Sequence, residues 1–100
     1  MIRFAVIAAI AISTAPAFAQ DSKEESCGYQ AQVVGAIQQA RLDRVSERDV
    51  QDHILAQNPE WPAQYNNAIP LMAPWVYEQK RRVLRNESLS DAWTELCLQQ

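Results

Sequence analysis

The chain has 100 residues, with nine lysines and arginines against twelve aspartates and glutamates, a formal charge of −3. That length leaves no room for a second large domain, and the acidic balance argues against nucleic acid as a partner. There is no internal repeat, no sustained heptad pattern and no hydrophobic span after the first apolar run.

Residues 1–19 read as an export signal. Arg3 supplies a positive start, an apolar run covers 4–12, Ser13, Thr14 and Pro16 interrupt it, and Ala17-Phe18-Ala19 offers a small-x-small cleavage pattern. The run is too short to cross a bilayer as a stable helix. An ordinary N-terminal helix is the alternative. Cleavage after Ala19 makes Gln20 the first residue, where a lipid-anchored protein would carry cysteine. The mature chain keeps eight basic and twelve acidic residues, a formal charge of −4. It has no transmembrane anchor and is expected in a periplasmic or secreted location.

Residues 20–26 are polar and read as a mobile tail. A first helix is predicted over 27–44, with Cys27, Ala31, Val34, Ile37 and the stem of Arg41 on one stripe, broadened by Val33 and Ala40. Gly35 weakens that helix, so its expected role is to let a neighbour approach the backbone. Ser46 reads as the cap of a second helix, with Asp49 at the reciprocal position and Val45 and Val50 as a hydrophobic staple. This helix carries His53 and Ile54 and stops at Asn58-Pro59.

Residues 59–77 hold Pro59, Pro62, Pro70 and Pro74 with Trp61, Tyr65, Trp75 and Tyr77. Proline removes a backbone donor and clashes with the preceding turn, so no straight helix is expected through this corner. A third helix is predicted to start between Ala68 and Pro74 and to run to about Arg85, its stripe being Ile69, Met72, Ala73, Val76, Tyr77 and Leu84. Asn86 heads an Asn-x-Ser sequence but reads as a loop residue. A fourth helix, 89–98, is capped by Ser88 with Asp91 and presents Leu89, Ala92, Trp93, Leu96 and Cys97 on one face.

The fold class is therefore all-α: a small four-helix antiparallel bundle with an irregular proline and aromatic corner and one disulfide. An exported chain with two cysteines normally oxidises them. Four helices in up-down-up-down order bring Cys27, at the start of the first, beside Cys97, at the end of the last. A redox-active pair would want a Cys-x-x-Cys spacing or a basic neighbour, and neither is present.

Candidate chemistry is sparse. His53 is the only histidine, with Asp49 one turn before it, whereas a closed zinc site takes four ligands. Ser46, His53 and Asp49 can be written as a triad, but there is no nucleophile elbow, and capping or packing already accounts for them. With only Gly28 and Gly35 there is no phosphate-binding loop. No cofactor and no catalytic residue is predicted. Lys80, Arg81, Arg82 and Arg85 form the one charge cluster. They read either as a solvated helix end favoured by the dipole or as a contact for acidic headgroups or an acidic partner. Trp75 and Trp93 are expected to be buried. Trp61 and Tyr65, between prolines, are the candidate partner-binding residues, with Trp61 exposed on a rigid loop.

Cys27, the Ala-Ile-x-x-Ala-Arg run ending at Arg41, Tyr65-Asn66, and Trp93 with Cys97 resemble the layout of small two-cysteine exported helical proteins of proteobacteria. Those proteins mostly have no assigned activity, so the resemblance implies a fold and a bacterial periplasm but no chemistry. The leading expectation is a protein-binding or structural accessory of the cell envelope. The alternatives are a small hydrolase or redox enzyme centred on His53 or the cysteines, and peripheral membrane association through the basic cluster.

Overall fold

Ser22 caps the first helix. A computed structural model describes residues 22–100, so the expected leader at 1–19, with Gln20 and Asp21, lies outside the described residues. Ser22 Oγ accepts from the Glu25 N–H at 3.1 Å, opening α1, Lys23–Leu42. Residues 23–26, expected in the polar tail, instead form its first turn. The Ser-x-x-Glu spacing and the acidic Glu24 and Glu25 suit the positive end of a helix dipole.

At its other end α1 stops two residues before the expected Arg44. The Val45 N–H donates to the Ala40 carbonyl at 3.0 Å and the Arg44 N–H to that of Arg41 at 3.2 Å. These are the paired bonds of a Schellman motif. Arg44 has φ 66°, the left-handed conformation that glycine usually supplies and that costs a side chain roughly 1 kcal/mol.

A 3-10 turn, Glu47–Asp49, leads into α2, Val50–Leu55. Ser46 Oγ donates to Asp49 Oδ2 at 2.8 Å and caps no backbone N–H, so the expected reciprocal cap is a side-chain pair. Val50 is buried, and Val45 packs against the core. A second 3-10 turn, Ala63–Asn67, precedes α3, Ala68–Glu78. Pro70 falls in the first turn, where its missing N–H has no intrahelical acceptor. Pro74 costs the bond to the Pro70 carbonyl, but both prolines lie on the exposed side, open to solvent.

The predicted third helix does not continue to Arg85. Gln79 and Lys80 are extended, with ψ 145° and 143°, and a separate α4 spans Arg81–Asn86. The buried stripe of α3 is Ile69, Ala73 and Val76. A continuous helix would place Lys80 next on that stripe, one turn beyond Val76. Desolvating an ammonium group is costly, and the break keeps Lys80 exposed while Leu84 enters the core. Finally α5 spans Leu89–Leu98, with Ser88 Oγ accepting from the Asp91 N–H at 3.3 Å, as expected.

α1 is the central element, packed against each of the other four helices. It runs antiparallel to α5. Cys27 is bonded to Cys97 with Cα atoms 5.7 Å apart, Trp93 Nε1 donates to Gln30 Oε1 at 3.2 Å, and Ser90 Oγ donates to the Ala31 carbonyl at 2.8 Å. α3 runs in the same direction as α1: Tyr29 stacks near Tyr65 at one end, and Tyr77 Oη reaches the Val45 carbonyl at the other. The expected antiparallel bundle and its disulfide are thus present, with the third helix divided into α3 and α4. Val33, Val34 and Ile37 of α1 meet Val50, Ile54, Ile69, Val76, Leu84 and Leu89 in one core. Each such side chain contributes roughly 1.5–3 kcal/mol by leaving water. Gln38 joins three elements. Its amide N–H groups donate to the Leu84 and Glu87 carbonyls at 2.6 and 2.8 Å, and its oxygen accepts from the Leu89 N–H at 3.1 Å.

Gly35 marks the closest approach of α5. A Cβ there would stand 2.7 Å from Ser90 Oγ but 4.0 Å from Ser90 Cβ. The neighbour is thus a small hydroxyl whose bond to Ala31 the glycine protects. Alanine is the better helix former by about 1 kcal/mol, a gain that requires the hydroxyl to move. In a double-mutant cycle followed by urea unfolding, Gly35→Ala is expected to stabilise the Ser90→Ala background. It should give no such gain beside Ser90, with a coupling of roughly 1 kcal/mol.

Candidate functional site

Trp61 is not exposed. It retains 8% of its accessible surface and belongs to the core. Asn58, at φ 51°, turns the chain after α2, and the indole N–H donates to Asn66 Oδ1 at 2.8 Å. The prolines on either side fix a loop that folds the ring inward, next to a shallow cleft of about 360 Å³ also lined by Gln32 and Ile54. Tyr65 is half-buried, its ring centroid 5.1 Å from that of Tyr29. Trp61 therefore does not project from a presentation loop, which corrects its expected exposure.

The other two tryptophans pack against the core but are less buried than expected. Trp75 of α3 and Trp93 of α5 are each only half-buried, with ring centroids 5.9 Å apart. Leu71 lies one turn before Trp75, and Leu96 lies about one turn after Trp93. Because α3 and α5 run in opposite directions, both leucines fall on the same side of the tryptophan pair. Leu71 is 79% exposed and Leu96 51% exposed. The tryptophan pair thus joins the two helices at an apolar surface that the exposed leucines extend along each helix, with exposed Glu78 one turn after Trp75. Leu71 falls off the buried stripe of α3, so helical periodicity carried the signal that it points outward.

His53 and its supposed partners do not converge. Gln57 Nε2 lies 2.9 Å from His53 Nε2, while Ser46 and Asp49 bond to each other. No three histidines, cysteines, aspartates or glutamates among the described residues are grouped to hold a metal ion. No described helix is long and apolar enough to cross a membrane.

The basic cluster is differently placed from its expectation. Lys80 caps α4, and Arg81 and Arg82 open it, so these cations face the positive rather than the negative end of a helix. The dipole therefore does not account for them. Arg81 is half-buried, and desolvation, followed by the charges of Arg44, Arg41 and Arg85, holds its guanidinium below the usual arginine range. Arg41 lies with its Cζ 5.3 Å from the centroid of the Tyr77 ring. Burial raises the Tyr77 phenol above its ordinary value, the Arg41 charge opposing and Glu47 reinforcing the shift, so the neutral hydroxyl donates to Val45 at 2.6 Å. Arg41 and Arg44, which sequence reasoning left out of the cluster, belong beside it. No family model, curated protein or solved structure matches the chain, so the surfaces are read from its own residues.

Proposed function

We propose that this chain is an exported accessory protein of the cell envelope that binds another protein through the seam between α3 and α5. The observation that carries the reading is Leu71, 79% exposed on a helix whose next turn presents a partly buried tryptophan. Aromatic side chains on a rigid support lose little entropy on binding, and flanking leucines extend the apolar contact. Glu78, exposed one turn after Trp75, favours an apolar segment with a basic flank over an anionic membrane surface. The disulfide fits an oxidising compartment, in keeping with the leader read at residues 1–19.

A photo-crosslinking side chain placed at Leu71 or Leu96 in native envelopes is expected to trap one partner, and the same probe at exposed Gln51 of α2 to trap none. Leu71→Asp should abolish the Leu96 crosslink while changing stability by less than about 0.5 kcal/mol, as for an exposed site. Equal trapping from Gln51, or crosslinks only to a second copy or to lipid, would refute this reading.

A further inference from the structure

The end of α1 and the length of α4 gather four arginines in an otherwise acidic protein. Arg85 lines a cleft of about 400 Å³ together with Gln38 and Leu42, which places α4 against the last turns of α1. Arg41 and Arg44 occupy those turns and the motif that ends them. No carboxylate among the described residues forms an ion pair within 4.0 Å of any of the four. Of the acids nearby, Asp43 accepts from Gln39 Nε2, Glu47 acts on the Tyr77 phenol beside Arg41, and Glu87 lines the same cleft as Arg85 without pairing with it.

Three features go beyond a solvated surface. Arg41 Nε is buried and has no acceptor, while its guanidinium is held over Tyr77. Arg44 keeps a side chain at a φ of 66°, where glycine would relieve the backbone. Arg81 and Arg82 stand at the unfavourable end of α4. The like charges of Arg44, Arg41 and Arg85 all act on Arg81, and a multiply charged anion shared among the guanidinium groups offsets that repulsion. Guanidinium pairs match the oxygen geometry of phosphate, through two parallel N–H donors.

We propose that Arg41, Arg44, Arg81 and Arg85 form a binding site for a phosphate-bearing anion. The chemistry is common to a free phosphate compound and to a phospholipid headgroup, and the test separates them. Mature protein with its disulfide intact is titrated with inorganic pyrophosphate by calorimetry in about 0.15 M salt. It is also sedimented with phosphatidylcholine vesicles with and without phosphatidylglycerol.

Saturable pyrophosphate binding is expected, weakened about tenfold by Arg44→Gly and by the double change Arg81→Gln with Arg85→Gln. Arg48→Gln, on the turn outside the cluster, should leave it within about twofold. Arg44→Gly suits the left-handed backbone, so its melting temperature should not fall, and lost binding cannot be ascribed to unfolding. Pyrophosphate binding without sedimentation assigns a free phosphate compound; sedimentation with the anionic vesicles alone, sensitive to the same variants, assigns a headgroup. Absence of binding to both probes, or binding that Arg44→Gly and the double variant leave unchanged, overturns the site.

Discussion

Trp61→Ala is expected to cost roughly 3–5 kcal/mol, the range for truncating a large aromatic in a core. The side chain is among the buried residues that unite α1, α2 and α3, and the one other large aromatic of the loop, Tyr65, is already held against Tyr29. Its indole bond to Asn66 is lost as well, leaving the Asn66 amide to find water. A domain of this size has a stability near the lower end of about 5–15 kcal/mol, so the variant should be largely unfolded well below the parent's melting temperature. Urea unfolding followed by near-ultraviolet circular dichroism measures the loss. Trp61→Phe, which keeps most of the apolar volume but not the hydrogen bond, should cost about 1–2 kcal/mol. A loss below 1 kcal/mol for the alanine variant would show that the ring is not packed in solution.

Reduction of Cys27–Cys97 is expected to have an effect of similar size by a different route. The bridge joins residues 70 positions apart, and the chain-entropy model gives roughly 4 kcal/mol for closing such a loop in the unfolded state. Cys27 is buried and Cys97 half-buried, so the native bond has one accessible flank. Urea unfolding with and without dithiothreitol, and of the Cys27→Ser and Cys97→Ser double variant, should show the midpoint falling. The slope should rise as the unfolded chain expands. Helical content in the absence of denaturant should remain recognisable, since none of the core residues between α1 and α3 depends on the sulfurs. An unchanged midpoint would mean that the reduced unfolded chain is already constrained near its ends.

Much of this fold was legible because it rests on local signals. The stripe Ala31, Val34, Ile37, the Ser88 cap and the cysteine pairing all follow from spacing, and α5 has the bounds that spacing predicts. The missed start of α1 was legible too, in Ser22 and Glu25. The break at Gln79-Lys80 was not, for no glycine or proline marks it. It arises from the competition between a continuing helix and the cost of burying Lys80, which depends on where α1 stands. Trp61 illustrates the same limit. Flanking prolines specify that the loop is stiff but not which way it points, and the direction is set by Asn58, the Asn66 acceptor and the core behind. The surfaces divide likewise: Leu71 falls outside a readable stripe, whereas Arg41 and Arg44 lie some 40 residues from Arg81 and Arg85 and meet them only through the return of α3 along α1.

The bridge between the first and last helices of the chain has a mechanical consequence. Tension applied across residues 22 and 100 passes through Cys27 and Cys97 without loading the hydrogen bonds of the intervening helices. A machine that pulls the oxidised protein through a narrow pore from one terminus therefore meets a covalent ring soon after entering it. It must admit two strands abreast or stall, whereas the reduced chain threads in single file.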